Sequence, residues 1–255
     1  MSNSTIYAFI LSFIAGISTV IGALIIFIDK RKNNKIVTIS LSFAAGVMIC
    51  VSLTDLLPNS YNMILNTSDS FIKILLTLIF MVIGILISII IDKYLPDQIN
   101  KEVDNKKLYK IGIVSMVAII LHNIPEGIAT FITSSNNIKL GITLSIAIAL
   151  HNIPEGISIA VPIYHSTNNK FKAILYSLLS GMSEVFGSII SYLFLAPLIN
   201  EHVMAALYAI IAGIMTHISI YELIPGAYKE SSLKPVLKWF LVGFIIMILS
   251  HVLMR

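Results

Sequence analysis

The hydrophobic positions of this chain fall into eight long apolar runs separated by short polar connectors. A run of about 20 predominantly apolar residues is long enough to cross about 30 Å of hydrocarbon as an α-helix. The runs are too long for buried strands and lack the alternation of a membrane barrel, so helices are the spanning structure that satisfies the backbone. We predict spans at 6–28, 36–57, 71–91, 111–133, 138–163, 171–195, 203–224 and 236–254, with residues 1–255 forming one integral membrane domain.

Composition assigns the chain to the lipid bilayer rather than to water. Of its 255 residues 57% are hydrophobic and 12% are charged, which excludes an ordinary soluble domain and a disordered chain. The single cysteine, Cys50, excludes an internal disulfide and a cysteine-cluster zinc site. The net charge of +4 comes from basic residues in connectors rather than along a helix face, so no nucleic-acid partner is expected.

The basic residues predict the orientation of the spans, because Lys and Arg are retained on the cytoplasmic side. Of the 17 basic residues, all but Lys73, Lys139 and Arg255 lie in the first, third, fifth and seventh connectors. We therefore place these odd connectors in the cytoplasm and both termini outside.

Internal repeats indicate how the spans are arranged. The hexapeptide His-Asn-Ile-Pro-Glu-Gly occurs at 122–127 and again at 151–156. Span two, over 44–58, shares Ala, Gly, Met, Ser, Leu and Pro in register with span seven, over 211–225, and a weaker echo links spans one and six. The repeated units run in opposite directions, which is typical of secondary transporters with a midplane binding site between broken helices. The predicted fold is an all-α membrane protein with a 3+2+3 arrangement, in which an inverted repeat of helices 1–3 and 6–8 surrounds helices 4 and 5.

Each hexapeptide directs one imidazole and one carboxylate to a common point. His122 and Glu126 are separated by four residues and share a helix face, as do His151 and Glu155. The proline of each motif cannot donate a helical hydrogen bond, so it kinks the helix and frees a backbone carbonyl beside these side chains. Counted from the nearest span ends, both histidines reach the bilayer midplane.

Three intramembrane carboxylates lack a cationic partner in the sequence. Glu126, Glu155 and Glu184 each cost a few kcal/mol at the centre of a span, and no Lys or Arg lies at comparable depth. Either the carboxylates are protonated, as in a proton relay, or a cation from outside binds among them. Two histidines with several carboxylates suit a divalent transition metal, which we favour.

For each of the other polar residues within the spans, the sequence allows two roles. Asn123 and Asn152 point about 100° away from the histidines and suit either a second metal site sharing the glutamates or hydrogen bonds between helices. Asp55 and Glu222, at matching repeat positions, are candidate pathway groups at opposite ends, or capping and interfacially solvated acids. His217 is a pathway ligand or a packing histidine. Three histidines near span ends receive no role, namely His165, His202 and His251.

These motifs resemble the ZIP family of divalent metal transporters, in particular its bacterial ZupT-like branch. The resemblance covers essentially the whole chain: eight spans with both termini outside, paired HNxPEG motifs, a glutamate in span six, and the signatures AGxM…LLP and AGIM…ELIP in spans two and seven. It departs from the family pattern at Tyr221, where relatives often have Asp or His, at Asn152, which is an acid in other branches, and in connector 92–110, which contains no histidine.

The resemblance implies a binuclear metal centre and a moving group of helices. One site would use the two histidines and two glutamates of the hexapeptides, and the other would use Asn123, Asn152 and Glu184 with the same glutamates bridging. It also implies that spans one, four, five and six move against spans two, three, seven and eight.

The sequence therefore predicts a transporter for uptake of divalent transition metals rather than an enzyme. Zn²⁺ is the first candidate, and Fe²⁺, Mn²⁺, Co²⁺ and Cd²⁺ are alternatives, because nitrogen and oxygen ligands without thiolate discriminate weakly among them. No resident cofactor and no ATP are expected, and a homodimer is compatible with the pattern. Two rival functions stay open: an intramembrane zinc hydrolase and a proton-coupled carrier of a small solute.

Overall fold

Eight helices long and apolar enough to cross a membrane make up nearly all of the described chain. A computed structural model describes residues 3–28, 34–64, 69–94, 105–195 and 200–254. The helices are Asn3–Phe27 (α1), Asn34–Met63 (α2), Ser70–Tyr94 (α3), Lys106–Asn136 (α4), Ile138–Thr167 (α5), Lys170–Leu193 (α6), Glu201–Glu230 (α7) and Leu233–Leu253 (α8). The predicted all-α fold with eight spans is confirmed.

Two helices continue beyond the prolines at which we expected them to end. Span two was predicted to stop at residue 57, but α2 runs on through Pro58 to Met63, and α7 likewise passes Pro225. In both helices a wide π-helical turn, Ser52–Leu56 or Ser219–Leu223, precedes the proline. Such a turn shifts the hydrogen-bond register, so the missing proline N–H does not end the helix.

Because eight spanning helices alternate in direction, the start of α1 and the end of α8 lie on one side of the bundle, which we call the termini side. The C-terminal ends of α1, α3, α5 and α7 lie on the opposite side. Five basic residues used to predict orientation fall outside the described residues, namely Lys30, Arg31, Lys32, Lys101 and Arg255.

The helices pack as two groups. Helix α1 contacts α5 and α6, and α4 contacts the same two helices, so α1, α4, α5 and α6 form what we call the site group. Helix α2 packs on α8 and α3 packs on α7, forming the flanking group, which meets the site group chiefly through α2 and α5. The two groups are the same sets of helices that the family resemblance led us to expect.

Glycines show that the two halves of the site group are related by a repeat. Gly16 of α1 and Gly181 of α6 lie against each other, and a Cβ on either would overlap the other's carbonyl oxygen. Gly22 approaches the backbone of Ile153 in α5 just as Gly187 approaches that of Ile124 in α4. Small residues permit such close backbone contact between membrane helices.

The flanking group shows the same symmetry. Gly46 of α2 packs on the carbonyl of Phe240 in α8, and its repeat counterpart, Gly213 of α7, packs on the carbonyl of Met81 in α3. The π-helical turns of α2 and α7 also occupy corresponding positions. The inverted repeat around α4 and α5 is therefore visible in three dimensions as well as in the sequence.

Candidate metal centre

The two hexapeptides lie side by side because glycines allow α4 and α5 to pack closely against their neighbouring helices. A Cβ on Gly127 would overlap the carbonyl oxygen of Glu184 in α6, and one on Gly156 would overlap that of Thr19 in α1. Both helices continue through the proline of their motif. The motif thus supplies both the ligand-type side chains and the close packing that brings them together.

The histidines and glutamates of the two motifs converge on one point. The Nε2 atom of His151 hydrogen-bonds to Oε1 of Glu126 at 2.9 Å. The Nε2 atom of His122 lies 3.2 Å from the same oxygen and 3.4 Å from Oε1 of Glu155. One potential ligand atom from each of His122, His151 and Glu155 falls within 4.8 Å of the others, a spacing that fits one metal ion.

Several polar atoms of this cluster have no hydrogen-bond partner, although the cluster is buried. None of its four residues is more than 5% exposed. Within the described residues, five atoms of the cluster lack a partner in hydrogen-bonding geometry, although some of them lie close to one another. They are both ring nitrogens of His122, Oε2 of Glu126 and both carboxylate oxygens of Glu155. Buried polar groups are normally satisfied, so these atoms have the capacity to bind a ligand from outside the chain.

The asparagines lie beside the cluster and face α1 and α6. The amide nitrogen of Asn123 donates to the carbonyl of Ser180 at 3.1 Å, and that of Asn152 donates to the carbonyl of Ala15 at 2.9 Å. Asn152 also donates to Oε2 of Glu184 at 3.1 Å. Within the described chain, Oδ1 of both asparagines and Oε1 of Glu184 have no hydrogen-bond partner. The structure thus places three unpaired oxygens next to the histidine and glutamate cluster.

The centre has more carboxylates than imidazoles, and no described Lys or Arg side chain is buried with them. Three glutamates are buried here, whereas no Lys or Arg is among the buried residues of the described chain. Uncompensated carboxylates in a membrane interior are costly. A bound dication would offset that cost and occupy the unpaired oxygens together.

Asp55 and Glu222 lie at opposite ends of the bundle, each within the π-helical turn of its helix. Asp55 lines a termini-side cavity of about 380 Å³, and the amide of Asn59 donates to its Oδ1 at 2.7 Å. Glu222 lines a cavity of about 410 Å³ on the opposite side. Both cavities lie between the site group and the flanking group, where a route to the centre would open.

His217 is placed away from the centre, between α7 and α3. Its Nδ1 atom pairs with the hydroxyl of Ser88 at 2.9 Å, and its ring stacks on Tyr221 with centroids 4.8 Å apart. Both contacts are within the flanking group, so its surroundings favour the packing interpretation over the pathway interpretation.

Sequence reasoning overlooked Asp92 and Lys110 near the opposite-side cavity. Lys110, which lines that cavity, forms an ion pair with Asp92 of α3 at 3.0 Å. Asp92 lies one residue beyond the predicted end of span three and was therefore treated as a connector residue. A later end to span three, which α3 shows, would have placed Asp92 inside the helix.

Comparison with known proteins agrees with this architecture. The family model described as "ZIP Zinc transporter" matches residues 1–92 and 95–251. The chain belongs to the ZIP family. Among the family's curated members, the chain is 40% identical to "Zinc transporter ZupT" of Streptococcus mutans over 99% of both chains. It is 38% identical to the proteins of that name from Clostridium perfringens, with 98% of this chain and 97% of that protein covered, and from Campylobacter jejuni, with 95% and 94% covered.

Proposed function

We propose that this protein is a secondary transporter that takes up divalent transition metals through the buried centre between α4 and α5. The observation that supports it most is the convergence of two imidazoles and two carboxylates, with Glu184 buried beside them, in a membrane interior where no described Lys or Arg is buried. Membership of the ZIP family and near full-length similarity to named zinc transporters support the same function.

In the proposed centre, one metal ion is held by the side chains that share the convergence point. These are His122, Glu126, His151 and Glu155. A second ion is held by the oxygens of Asn123, Asn152 and Glu184, with Glu126 and Glu155 shared between the two. The unpaired amide and carboxylate oxygens support this second site, because a metal would satisfy them.

Zinc is the proposed principal cargo. Imidazole nitrogen and carboxylate oxygen are ordinary zinc ligands, and several relatives bear the name zinc transporter. The same donors also accept Fe²⁺, Mn²⁺, Co²⁺ and Cd²⁺, since no thiolate is present among the centre's residues to narrow the choice.

We further propose that the termini side faces the exterior of a prokaryotic plasma membrane and that metal moves inward from Asp55 towards Glu222. The distribution of Lys and Arg supports this orientation. An inside-negative potential of 100 mV favours inward movement of a dication by about 4.6 kcal/mol, so ATP is not required. The apolar side chains of α3 and α8 are largely exposed and would face lipid or a second copy of the chain.

Zinc flux into sealed proteoliposomes tests the function. We expect the wild type to accumulate zinc under an inside-negative potential, and Glu126→Ala and His122→Ala to reduce flux at least about tenfold because each removes a ligand. His202→Gln, which changes a histidine outside the centre, is the matched control. Undiminished zinc flux in the two centre variants would contradict the proposal, and metal-dependent hydrolysis without flux would favour the hydrolase alternative.

A further inference from the structure

Thr19 of α1 occupies the same position in the repeat as Glu184 of α6. Each is the central residue of a segment that begins and ends with glycine, 16–22 in α1 and 181–187 in α6. The two segments read GISTVIG and GMSEVFG, so they share both glycines, a serine and a valine, and their polar difference is at the centre. The repeat therefore places a hydroxyl on α1 where it places a carboxylate on α6.

The two residues are also equivalent in their contacts. A Cβ on Gly156 of α5 would overlap the carbonyl oxygen of Thr19, and a Cβ on Gly127 of α4 would overlap that of Glu184. Both Thr19 and Glu184 are fully buried. Thr19 thus lies beside the second hexapeptide in the way that Glu184 lies beside the first.

The hydroxyl of Thr19 has no hydrogen-bond partner within the described residues. A threonine inside a helix commonly donates to the carbonyl one turn earlier, as Thr38 does in α2. In α1 the corresponding carbonyl, that of Ala15, accepts from the amide of Asn152 instead. The hydroxyl oxygen of Thr19 is turned towards α6, where it lies 3.0 Å from the position that a Cβ on Gly181 would take. Thr19 therefore presents an unused hydroxyl to the helix that carries the third buried glutamate.

Two unpaired oxygens of the proposed second site belong to the same junction of α1, α5 and α6. The amide of Asn152 donates to the carbonyl of Ala15, one helical turn before Thr19, and to Oε2 of Glu184. Within the described chain, neither Oδ1 of Asn152 nor Oε1 of Glu184 has a hydrogen-bond partner. With the hydroxyl of Thr19, each of the three helices contributes one unpaired buried oxygen. A cation and its bound water would satisfy all three.

We propose that Thr19 is a further residue of the second metal site, where its hydroxyl holds a water molecule that coordinates the ion. The threonine oxygen is attached to Cβ, whereas the glutamate oxygens at the equivalent place are attached to Cδ, so a water molecule spans the difference in reach. The role of Thr19 rests on the second site of the proposed transport function. With Thr19 and its water, the ligands of that site are all oxygen, which suits Mn²⁺ better than the imidazoles of the first site do.

Titration with Mn²⁺ tests this role apart from transport. A background with His122→Ala and His151→Ala removes the nitrogen donors of the first site, and electron paramagnetic resonance then measures free Mn²⁺ against the oxygens that remain. Thr19→Val keeps the shape and removes the hydroxyl, so it should weaken Mn²⁺ binding about tenfold, whereas Thr19→Ser should stay within about twofold. Thr38→Val, the same change at a buried threonine of α2, is the matched control and should leave the affinity unchanged.

Stability separates a metal-binding role from a packing role. Because the hydroxyl of Thr19 is unpaired within the described chain, Thr19→Val should retain or raise the Tm of the metal-free protein while it weakens Mn²⁺ binding. An unchanged Mn²⁺ affinity in Thr19→Val would overturn the proposal. Equal weakening in Thr38→Val would overturn it as well, since the loss would then not be specific to the site.

A substitution that adds a carboxylate gives a test in the opposite direction. Thr19→Asp is close to threonine in size and introduces on α1 the charge that the repeat has on α6. It should tighten Mn²⁺ binding about tenfold, because ligand charge sets the affinity of oxygen sites. It should also displace the bound water, so that Mn²⁺ enhances the relaxation of water protons less than in the parent protein. Weaker binding in a folded Thr19→Asp variant would contradict the assignment.

Transport assays distinguish a failure of this role from a failure of the proposed function. In otherwise unaltered protein, Thr19→Val should raise the KM for Mn²⁺ uptake into proteoliposomes by a larger factor than the KM for zinc. Normal wild-type flux together with unchanged Mn²⁺ binding and KM in Thr19→Val would overturn the role of Thr19 alone. Thr19-dependent Mn²⁺ binding in a wild type that carries no metal would overturn the proposed function and leave the role of Thr19 supported.

Discussion

At the scale of single residues, the contacts of the two hexapeptide asparagines are compatible with both roles that the sequence presented as alternatives. The asparagines of the hexapeptides were predicted either to bind metal or to join helices. In the structure, the amide nitrogens of Asn123 and Asn152 donate to backbone carbonyls of neighbouring helices, while their oxygens have no partner in the described chain. One end of each amide therefore positions the helix, and the other end is available to a metal.

Replacing Asn152 tests this division of roles. Asn152→Asp removes the donor to Glu184 and places a second carboxylate next to it. We expect the metal-free protein to lose roughly 1–3 kcal/mol of stability, lowering its Tm by about 2–12 °C. Zinc should restore more stability than in the wild type, because the added charge strengthens metal binding. Thermal unfolding with and without zinc measures both effects, and an equal or smaller gain with zinc would argue against the second site.

Replacing His217 tests its assignment as a packing residue. His217→Phe retains the ring on Tyr221 but leaves the hydroxyl of Ser88 buried without its partner, which should cost about 1–3 kcal/mol. Adding Ser88→Ala should recover part of that loss, as a double-mutant cycle on stability would show. The KM for zinc should stay at the wild-type value, and a raised KM in His217→Phe without loss of stability would restore the pathway interpretation.

The centre was predictable at this scale because its residues are adjacent in the sequence and unusual in a membrane. A repeated hexapeptide and unpaired carboxylates are visible without coordinates. Asp92 was missed because the predicted span three ended at residue 91, whereas α3 continues to Tyr94.

At the scale of helices, close backbone contacts through glycine fix the positions of the ligand side chains. The hydrophobic runs were sufficient to predict all eight helices, but not that α2 and α7 pass through their prolines. That outcome depends on the π-helical turns Ser52–Leu56 and Ser219–Leu223, which hydrophobicity does not reveal. The corresponding turns in both halves also place Asp55 and Glu222 at equivalent depths from opposite sides.

Two glycines of α4 give a matched test of helix packing. Gly127→Ala drives a methyl group into the carbonyl of Glu184, whereas Gly112→Ala first meets the flexible end of the Ile163 side chain. We expect Gly127→Ala to cost about 1–3 kcal/mol by overpacking and to reduce zinc flux strongly, because it displaces both Glu126 and Glu184. Gly112→Ala should retain most of the flux. Equal flux in the two variants would contradict the view that this contact positions the centre.

At the scale of the whole molecule, every proposed ligand of the centre belongs to the site group, and the cavities on both sides lie between that group and the flanking group. Movement of one group against the other would therefore carry the centre from one cavity to the other. The ion pair between Lys110 and Asp92 joins the two groups on the opposite side.

Cross-linking tests whether the groups must move. In a Cys50→Ala background, cysteines at Lys110 and Asp92 joined by a cleavable bifunctional reagent should abolish zinc flux, and cleavage should restore it. Cysteines at Tyr109 and Tyr176 are the control, because their hydroxyls lie 3.4 Å apart within the site group. The same reagent at that pair should leave flux largely intact. Undiminished zinc flux with the first pair fully cross-linked would show that transport does not need the site group and the flanking group to move apart at Lys110 and Asp92.

The central claim is that cargo zinc is bound by the paired hexapeptides, and X-ray absorption at the zinc edge tests it most directly. Purified protein loaded with one equivalent of zinc should show a shell of nitrogen and oxygen only, with scattering from two imidazoles. One imidazole should be lost in His122→Ala and one in His151→Ala. A sulfur ligand, an all-oxygen shell, or an unchanged spectrum in both variants would contradict the account.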